Sequence, residues 1–150
     1  MLNSMGPFFE DFNEKNEMIT DGRTVTRADI VNFAGVSGDF SPLHMDKEFG
    51  KKTMFGENVA HGLCAMVVAS GNIERSGVFD QIVAFYGIQD WKFTKPLFFE
   101  DTIRVRIKVE SKVAGVQPDR GVVNLYLEVI NQKDDVLQEG KWKIMVRKIK

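Results

Sequence analysis

Several kinds of residue and segment are scarce in this chain, and each scarcity excludes a class of protein. The 150 residues contain 1 cysteine, Cys64, so no disulfide can form within the chain and a cysteine-rich zinc site is implausible. The 20 basic and 21 acidic residues nearly cancel and give no field of one sign for a nucleic acid or a membrane surface. No apolar run approaches the roughly 20 residues that span a bilayer. We therefore expect a cytoplasmic protein that binds neither nucleic acid nor membrane.

The length fits one domain, because a chain of this size can bury about two thirds of its unfolded surface in one core. No internal repeat or Gly/Ser/Pro-rich linker divides the sequence. The N-terminus lacks the basic and apolar regions of a secretory signal. Residues 1–17 are polar with Phe8, Phe9 and Phe12 interleaved, which predicts an irregular arm that packs aromatic rings on the body. We expect a single domain over residues 1–150.

A short helix and a turn are predicted in the first third of the chain. Thr26, followed three residues later by Asp29, forms a capping-box pattern, and apolar residues then recur at helical spacing over about 26–36. Gly38 ends this pattern. Pro42 disfavours helical backbone in the residue before it, so a turn should follow, and a turn can bring together side chains five residues apart.

A second helix is predicted after a long irregular segment over residues 45–61. Gly62 opens a run that is apolar on every side, and this run continues in helix-compatible fashion to about Arg75. Periodicity alone does not separate a buried helix from a buried strand, but leucine, alanine and methionine favour the helix. A helix that is apolar all round should be enclosed by the rest of the protein.

The second half of the chain alternates apolar and polar residues, a pattern typical of half-buried antiparallel strands. The alternation predicts strands over residues 82–93, 103–110, 123–129 and 140–149. Strands that follow helices in this way indicate an α+β fold, with a curved antiparallel sheet wrapped around a central buried helix.

The most specific pattern in the chain is a set of residues at fixed spacing, Phe33, Ala34, Ser37, Gly38, Asp39, Pro42, Leu43, His44 and Asp46, followed by Ala60, His61 and Gly62. This set resembles the MaoC-like (R)-specific enoyl-CoA hydratase/dehydratase family of the hot-dog fold. Lys95-Pro96-Leu97-Phe98 with Asp101 adds to the resemblance, which covers roughly residues 18–148. It implies a homodimer and a substrate that is an acyl thioester of CoA or of acyl carrier protein. Nothing in the sequence indicates a cofactor.

Hydration of an enoyl thioester needs an activated water, a proton source for C2 and donors for the charge that develops on the thioester oxygen. The resemblance assigns the first two roles to Asp39 and His44, and general acid–base catalysis of this kind is worth roughly 100- to 10,000-fold. Which of the two returns the proton stays open. The third role falls to Gly62, whose backbone N–H at the start of a buried helix is free to donate.

Supporting roles are predicted for four further residues. Ser41 stands where the family usually has Asn, and its hydroxyl can brace the turn. Ser70 matches a family serine that supports the active site, although a helix-end serine bonding its own backbone is an equal alternative. His61 should fix the start of the second helix. Phe55 either roofs an acyl pocket or belongs to a satellite cluster that anchors the long loop, together with Met45, Phe49 and Met54.

The sequence also makes predictions about Cys64, about metal binding and about the function of the whole protein. Cys64 lies within the apolar run and is expected to be a core residue rather than a nucleophile. No metal site is expected, because the two histidines bring no Cys or Glu partner at ligand spacing. The favoured function is reversible hydration of trans-2-enoyl-CoA in fatty acid metabolism. The alternatives are a non-catalytic hot-dog protein that binds an acyl thioester or docks a partner, and a thioesterase.

Overall fold

A six-stranded antiparallel sheet forms one layer of the protein in the computed structural model, which describes residues 6–150. Residues 1–5 of the predicted arm lie outside the described residues. The strands are β1 (Glu17–Ile19), β2 (Arg23–Thr24), β3 (Ile82–Phe93), β4 (Thr102–Val113), β5 (Arg120–Ile130) and β6 (Val136–Arg147). Their order is β1-β4-β5-β6-β3, with β2 also paired to β4, so that β3 forms one edge of the sheet.

The helices occupy the stretch between β2 and β3. They are α1 (Arg27–Ser37), α2 (Pro42–Met45), α3 (Lys47–Gly50) and α4 (Gly62–Arg75). Alternate side chains are buried along β5, over residues 103–107 of β4 and over residues 140–146 of β6, and the apolar ones pack with α4 in one hydrophobic core. Ala65, Ala69 and Ile73 of α4 lie within this core and are at most 1% exposed. The predicted α+β architecture with a central helix is confirmed.

The predicted arm is partly ordered into regular structure. Phe9 and Phe12 are buried in the core, as expected. Beyond them, however, Glu17 begins β1, which pairs with β4, and β2 pairs with the start of the same strand. Strands of three and two residues are too short to show a period of two, so the sequence pattern missed both. The last strand also begins at Val136, four residues before its predicted start, and ends at Arg147.

Reciprocal hydrogen bonds at its N-terminus define α1. The Thr26 hydroxyl accepts from the backbone N–H of Asp29 at 3.3 Å, and the Asp29 carboxylate accepts from the backbone N–H of Thr26 at 2.9 Å. Burial by itself raises the pKa of Asp29, but the hydrogen bonds from Thr26 and the charge of Arg23 outweigh it and leave that pKa below its usual value. Gly38 ends the helix with a left-handed φ of 76°.

The expectation that α4 is fully enclosed is wrong for the single chain. Leu63 is 57% exposed and Val67 is 59% exposed, one turn apart on the same side of the helix. The apolar sequence on this side of α4 therefore has no cover from the described residues of its own chain. No helix within residues 6–150 is long and apolar enough to cross a membrane.

The capping box makes a prediction about stability. Replacing Thr26 with Ala removes the hydroxyl acceptor and should lower the free energy of unfolding by about 1 kcal/mol, measured by urea denaturation. Thr26→Ser keeps the hydroxyl acceptor and is the matched control. Its free energy of unfolding should be close to that of the parent. Equal stability of Thr26→Ala and Thr26→Ser would show that the cap does not stabilise α1.

Candidate active site

Asp39 follows the left-handed Gly38 and uses its two carboxylate oxygens differently. Oδ1 accepts a hydrogen bond from the backbone N–H of Ser41 at 3.2 Å, which closes a local turn. Oδ2 lies 3.9 Å from Nε2 of His44 and 3.9 Å from Nε2 of His61. The turn carboxylate expected from the sequence is thus also the carboxylate that faces both histidines.

The predicted proline turn contains a single helical turn, α2, which carries His44. Pro42 is its first residue, and the Ser41 hydroxyl accepts from the backbone N–H of Leu43 at 3.4 Å, so Ser41 caps this turn. At its other end, the buried amide of Asn58 donates to the carbonyls of Leu43 and Asp46 at 2.8 Å each. Sequence reasoning missed Asn58, because no local pattern shows that its side chain reaches back to α2.

The contacts of His44 fix which ring nitrogen carries its proton. Nδ1 lies 2.6 Å from the backbone carbonyl of Val59. Because a carbonyl only accepts, Nδ1 must be the protonated nitrogen of the neutral ring, and Nε2 is left with a lone pair. This lone pair is 3.9 Å from Asp39 Oδ2, too long for a direct hydrogen bond and suitable for a bridging water.

His61 has the opposite proton placement. Its Nε2 lies 2.8 Å from the backbone carbonyl of Asp39, so Nε2 must donate, and its Nδ1 is buried without a partner in the described part of the chain. The ring also stacks against His44, with centroids 3.8 Å apart. Besides preceding α4, His61 therefore holds the backbone of Asp39 beside His44.

The same three residues also bring together side chains of the kinds that bind metal ions. One ligand atom from each of Asp39, His44 and His61 lies within 4.8 Å of the others, so the fold provides a carboxylate ligand that spacing along the chain did not reveal. A metal bound through Nε2 of His61, however, requires that nitrogen to be bare, and the proton would then move to the buried, unpartnered Nδ1. An unpaired buried N–H costs about 1–3 kcal/mol. The hydrogen bonding therefore fits a cation poorly.

A cleft of about 370 Å³ opens beside this cluster. Its walls include His44, Phe55, Gly62, Phe93 and Gln138. Gly62 is the first residue of α4, and a Cβ there would lie 2.8 Å from the Phe93 ring, so a side chain would collide with the cleft wall. A larger groove of about 670 Å³ lies at the opposite end of β3 and contains none of the predicted catalytic residues.

Among the predicted supporting residues, Phe55 lines the cleft but the other proposed roof residues do not. Met54 is 92% exposed, Phe49 is largely exposed and Met45 packs against the core. Ser70 lies eight residues beyond Gly62, which is about 12 Å along the helix axis. The chain does not bring Ser70 to the cleft walls.

The chain is similar in sequence to a known protein family and to individual proteins. The model of the MaoC like domain matches residues 11–131. Protein MaoC of Klebsiella aerogenes is 39% identical over 110 residues, 73% of this chain but 32% of that protein. An (R)-specific enoyl-CoA hydratase of Rhodospirillum rubrum is 27% identical over 143 residues, 93% of this chain and 91% of that protein.

Solved structures agree on the architecture. The crystal structure of a monoamine oxidase regulatory protein from Archaeoglobus fulgius is 34% identical, with a TM-score of 0.88 over 97% of each chain. A Mycobacterium tuberculosis protein with a double hotdogfold superposes on 99% of this chain and 46% of its own, with a TM-score of 0.85 at 18% identity. The predicted hot-dog fold is confirmed.

Cys64 is buried in α4 at 2% exposure, as expected for a core residue. Burial raises the pKa of its thiol to about 11, with the negative charge of Asp29 adding to the effect and Arg23 opposing it. The thiolate is the reactive form of cysteine, and the raised pKa leaves very little of it near neutral pH.

We expect a thiol reagent at pH 8 to leave Cys64 unmodified in the native protein and to label one thiol per chain in urea. Rapid labelling of the folded protein would contradict this placement.

Proposed function

This chain belongs to the MaoC like domain family, and from that premise we propose that it catalyses the reversible hydration of trans-2-enoyl thioesters to (R)-3-hydroxyacyl thioesters. The observation that carries the proposal is the convergence of Asp39 Oδ2 and His44 Nε2, 3.9 Å apart, beside a cleft that also contains Gly62. The relatives named as (R)-specific enoyl-CoA hydratase and 3-hydroxybutyryl-CoA dehydratase, each 27% identical, support this reaction class.

The two acceptor atoms can hold one water from two sides. Since neither Asp39 Oδ2 nor the bare Nε2 of His44 carries a proton, a water between them donates one hydrogen to each. The lone pair of the water oxygen is then free to attack C3 of an enoyl thioester in the cleft. General bases need this hydrogen-bond reach to the proton that they remove.

Asp39 and His44 together account for the proton transfers of the reaction. His44 Nε2 accepts a proton as the water oxygen bonds to C3, and the imidazolium returns that proton to C2. We assign the return to His44 because its ring lines the cleft, whereas Asp39 does not. Asp39 orients the water and stabilises the imidazolium. The bonds broken are one O–H bond of the water and the C2=C3 π bond, and the bonds formed are C3–O and C2–H.

Gly62 supplies the third requirement of the reaction. As the first residue of α4 its N–H has no partner within the helix, and it lies at the positive end of the helix dipole. The thioester oxygen gains negative charge when water attacks C3, so a fixed donor aimed at this oxygen stabilises the transition state more than the substrate. The absent side chain makes room for the Phe93 ring, which forms part of the cleft wall.

A second candidate is a binding protein without catalysis. The relative of known structure at 34% identity is named as a regulatory protein, and the 39% identical match spans about a third of Protein MaoC. In this alternative the cleft binds an acyl thioester, and Asp39 and His44 only stabilise the turn that contains them. A thioesterase would instead release free CoA, which a thiol reagent detects.

The hydratase proposal is tested by the loss of enoyl absorbance with crotonyl-CoA and a series of longer trans-2-enoyl-CoAs. The parent should turn over at least part of the series. Asp39→Asn and His44→Gln should each lower kcat by about 100- to 10,000-fold with the fold retained, because the first removes the charge that stabilises the imidazolium and the second removes the base that accepts the proton. Glu57→Gln, an exposed carboxylate in the same loop region, is the control and should keep parental activity. A parent that binds these thioesters without turnover would support the second candidate.

We also propose that two chains pair through β3 and the uncovered side of α4. β3 is an edge strand of 12 residues on which Phe85, Ile88 and Phe93 are 42–56% exposed, and Leu63 and Val67 of α4 are also exposed apolar residues. Long apolar edges left uncovered promote association, and a two-fold axis would extend the sheet while covering both helices. The resulting homodimer is the assembly expected from the resemblance.

Light scattering at micromolar concentration should give a dimer mass for the parent. Val67→Asp places a charge in the proposed interface and should shift the mass toward a monomer. The control is Val116→Asp, because Val116 is 97% exposed and lies in the segment between β4 and β5, outside both β3 and α4. A monomeric parent would contradict the proposal.

A further inference from the structure

A bulge in β3 places one tryptophan against Gln138. The pairing of β3 with β6 slips between Gln89 and Lys92, and within this slip Asp90 adopts a left-handed φ of 52°. Such bulges re-aim a side chain and are frequent beside functional sites. Here the residue that follows the left-handed position is Trp91, which packs against the hydrophobic core.

The opposite strand is shaped to receive Trp91. A Cβ at Gly140 would lie 2.7 Å from Cε3 of the Trp91 ring and 2.8 Å from its Cα, so no larger residue fits without moving the tryptophan. With the ring in this position, Nε1 of Trp91 donates a hydrogen bond to Oε1 of Gln138 at 3.1 Å. The bulge and the glycine together set this contact.

The Gln138 amide has a single allowed orientation as a result. An indole N–H only donates, so it must meet the amide oxygen, and the amide nitrogen is turned toward α4. Nε2 of Gln138 donates to the backbone carbonyl of Gly62 at 2.8 Å. Gln138 is 2% exposed and lines the cleft beside His44 and Gly62, although it is 76 residues from Gly62 along the chain.

We propose that Gln138 is a positioning residue that fixes the peptide groups at the start of α4, and that Trp91 sets the direction of its amide. The inference rests on the proposed function, because Gly62 supplies the N–H for the thioester oxygen in that reaction. The carbonyl held by Gln138 belongs to the residue that donates this N–H. A fixed carbonyl restricts backbone rotation at Gly62. The Gly62 N–H therefore stays directed at the thioester oxygen during the reaction.

Gln138→Leu removes both hydrogen bonds with little change of size, and Trp91→Phe removes only the donor that orients the amide. In the hydration assay Gln138→Leu should lower kcat by about 10- to 100-fold with KM changed by less than about threefold, because donors displaced by a fraction of an ångström lose transition-state stabilisation. Trp91→Phe should give a smaller loss of kcat in the same direction, since the freed amide can flip.

Asn72 offers a matched control on the same helix. It is also an amide at 2% exposure, it donates to the Ile103 carbonyl at 3.1 Å and it accepts from Arg75 at 2.7 Å. Asn72 lies ten residues beyond Gly62, about 15 Å along the helix. Asn72→Leu should therefore lower the melting temperature as Gln138→Leu does but leave kcat unchanged. Equal kcat values for the parent and Gln138→Leu would overturn the proposal.

A readout that needs no activity separates this proposal from the proposed function. With ¹⁵N-glycine labelling, the Gly62 amide resonance should shift in Gln138→Leu and in Trp91→Phe and should stay in place in Asn72→Leu. An inactive parent in which these shifts occur would refute the hydratase and leave the positioning contact intact. A Gly62 resonance that does not respond to Gln138→Leu would refute the positioning role whether or not the parent is active.

Discussion

The hydrogen bond from His44 Nδ1 to the carbonyl of Val59, at 2.6 Å, is the interaction on which the proposed chemistry depends. It leaves Nε2 as the bare nitrogen and fixes the ring beside Asp39. The accepting carbonyl is itself held by the fold. Val59 forms a β-bridge with Phe98, and the N–H of Ala60 donates to the carbonyl of Leu97 at 2.8 Å. The segment that connects β3 to β4 thereby fixes the direction of the His44 ring.

The rings of His44 and His61 are in contact, and they have different roles because they carry their protons on different nitrogens. His44 donates through Nδ1 and presents a lone pair at Nε2, whereas His61 donates through Nε2 to the Asp39 backbone. The second arrangement holds Asp39 in place and at the same time makes His61 a poor metal ligand. Two acceptors around one water, beside the N–H of Gly62, are the groups that hydration of an enoyl thioester requires.

Much of this fold could be predicted from sequence because its signals are local. The capping box at Thr26, the stop at Gly38 and the alternation of β4 and β5 each depend on neighbours within a few residues. Asn58 and Gln138 could not be found in this way, because each acts on a carbonyl brought close only by the folded chain. The exposed side of α4 differs from its prediction, since an apolar sequence favours a covered surface but does not show whether residues of its own chain cover it.

The direct test of the account is the proton placement on the two histidines. Because the chain contains 2 histidines, a long-range ¹H–¹⁵N spectrum of the imidazole rings can assign both at a pH where the rings are neutral. The hydrogen bonds to the carbonyls of Val59 and Asp39 predict the Nδ1–H tautomer for His44 and the Nε2–H tautomer for His61. An Nε2–H tautomer on His44 would contradict it, because that nitrogen could then not accept a proton from the water beside Asp39.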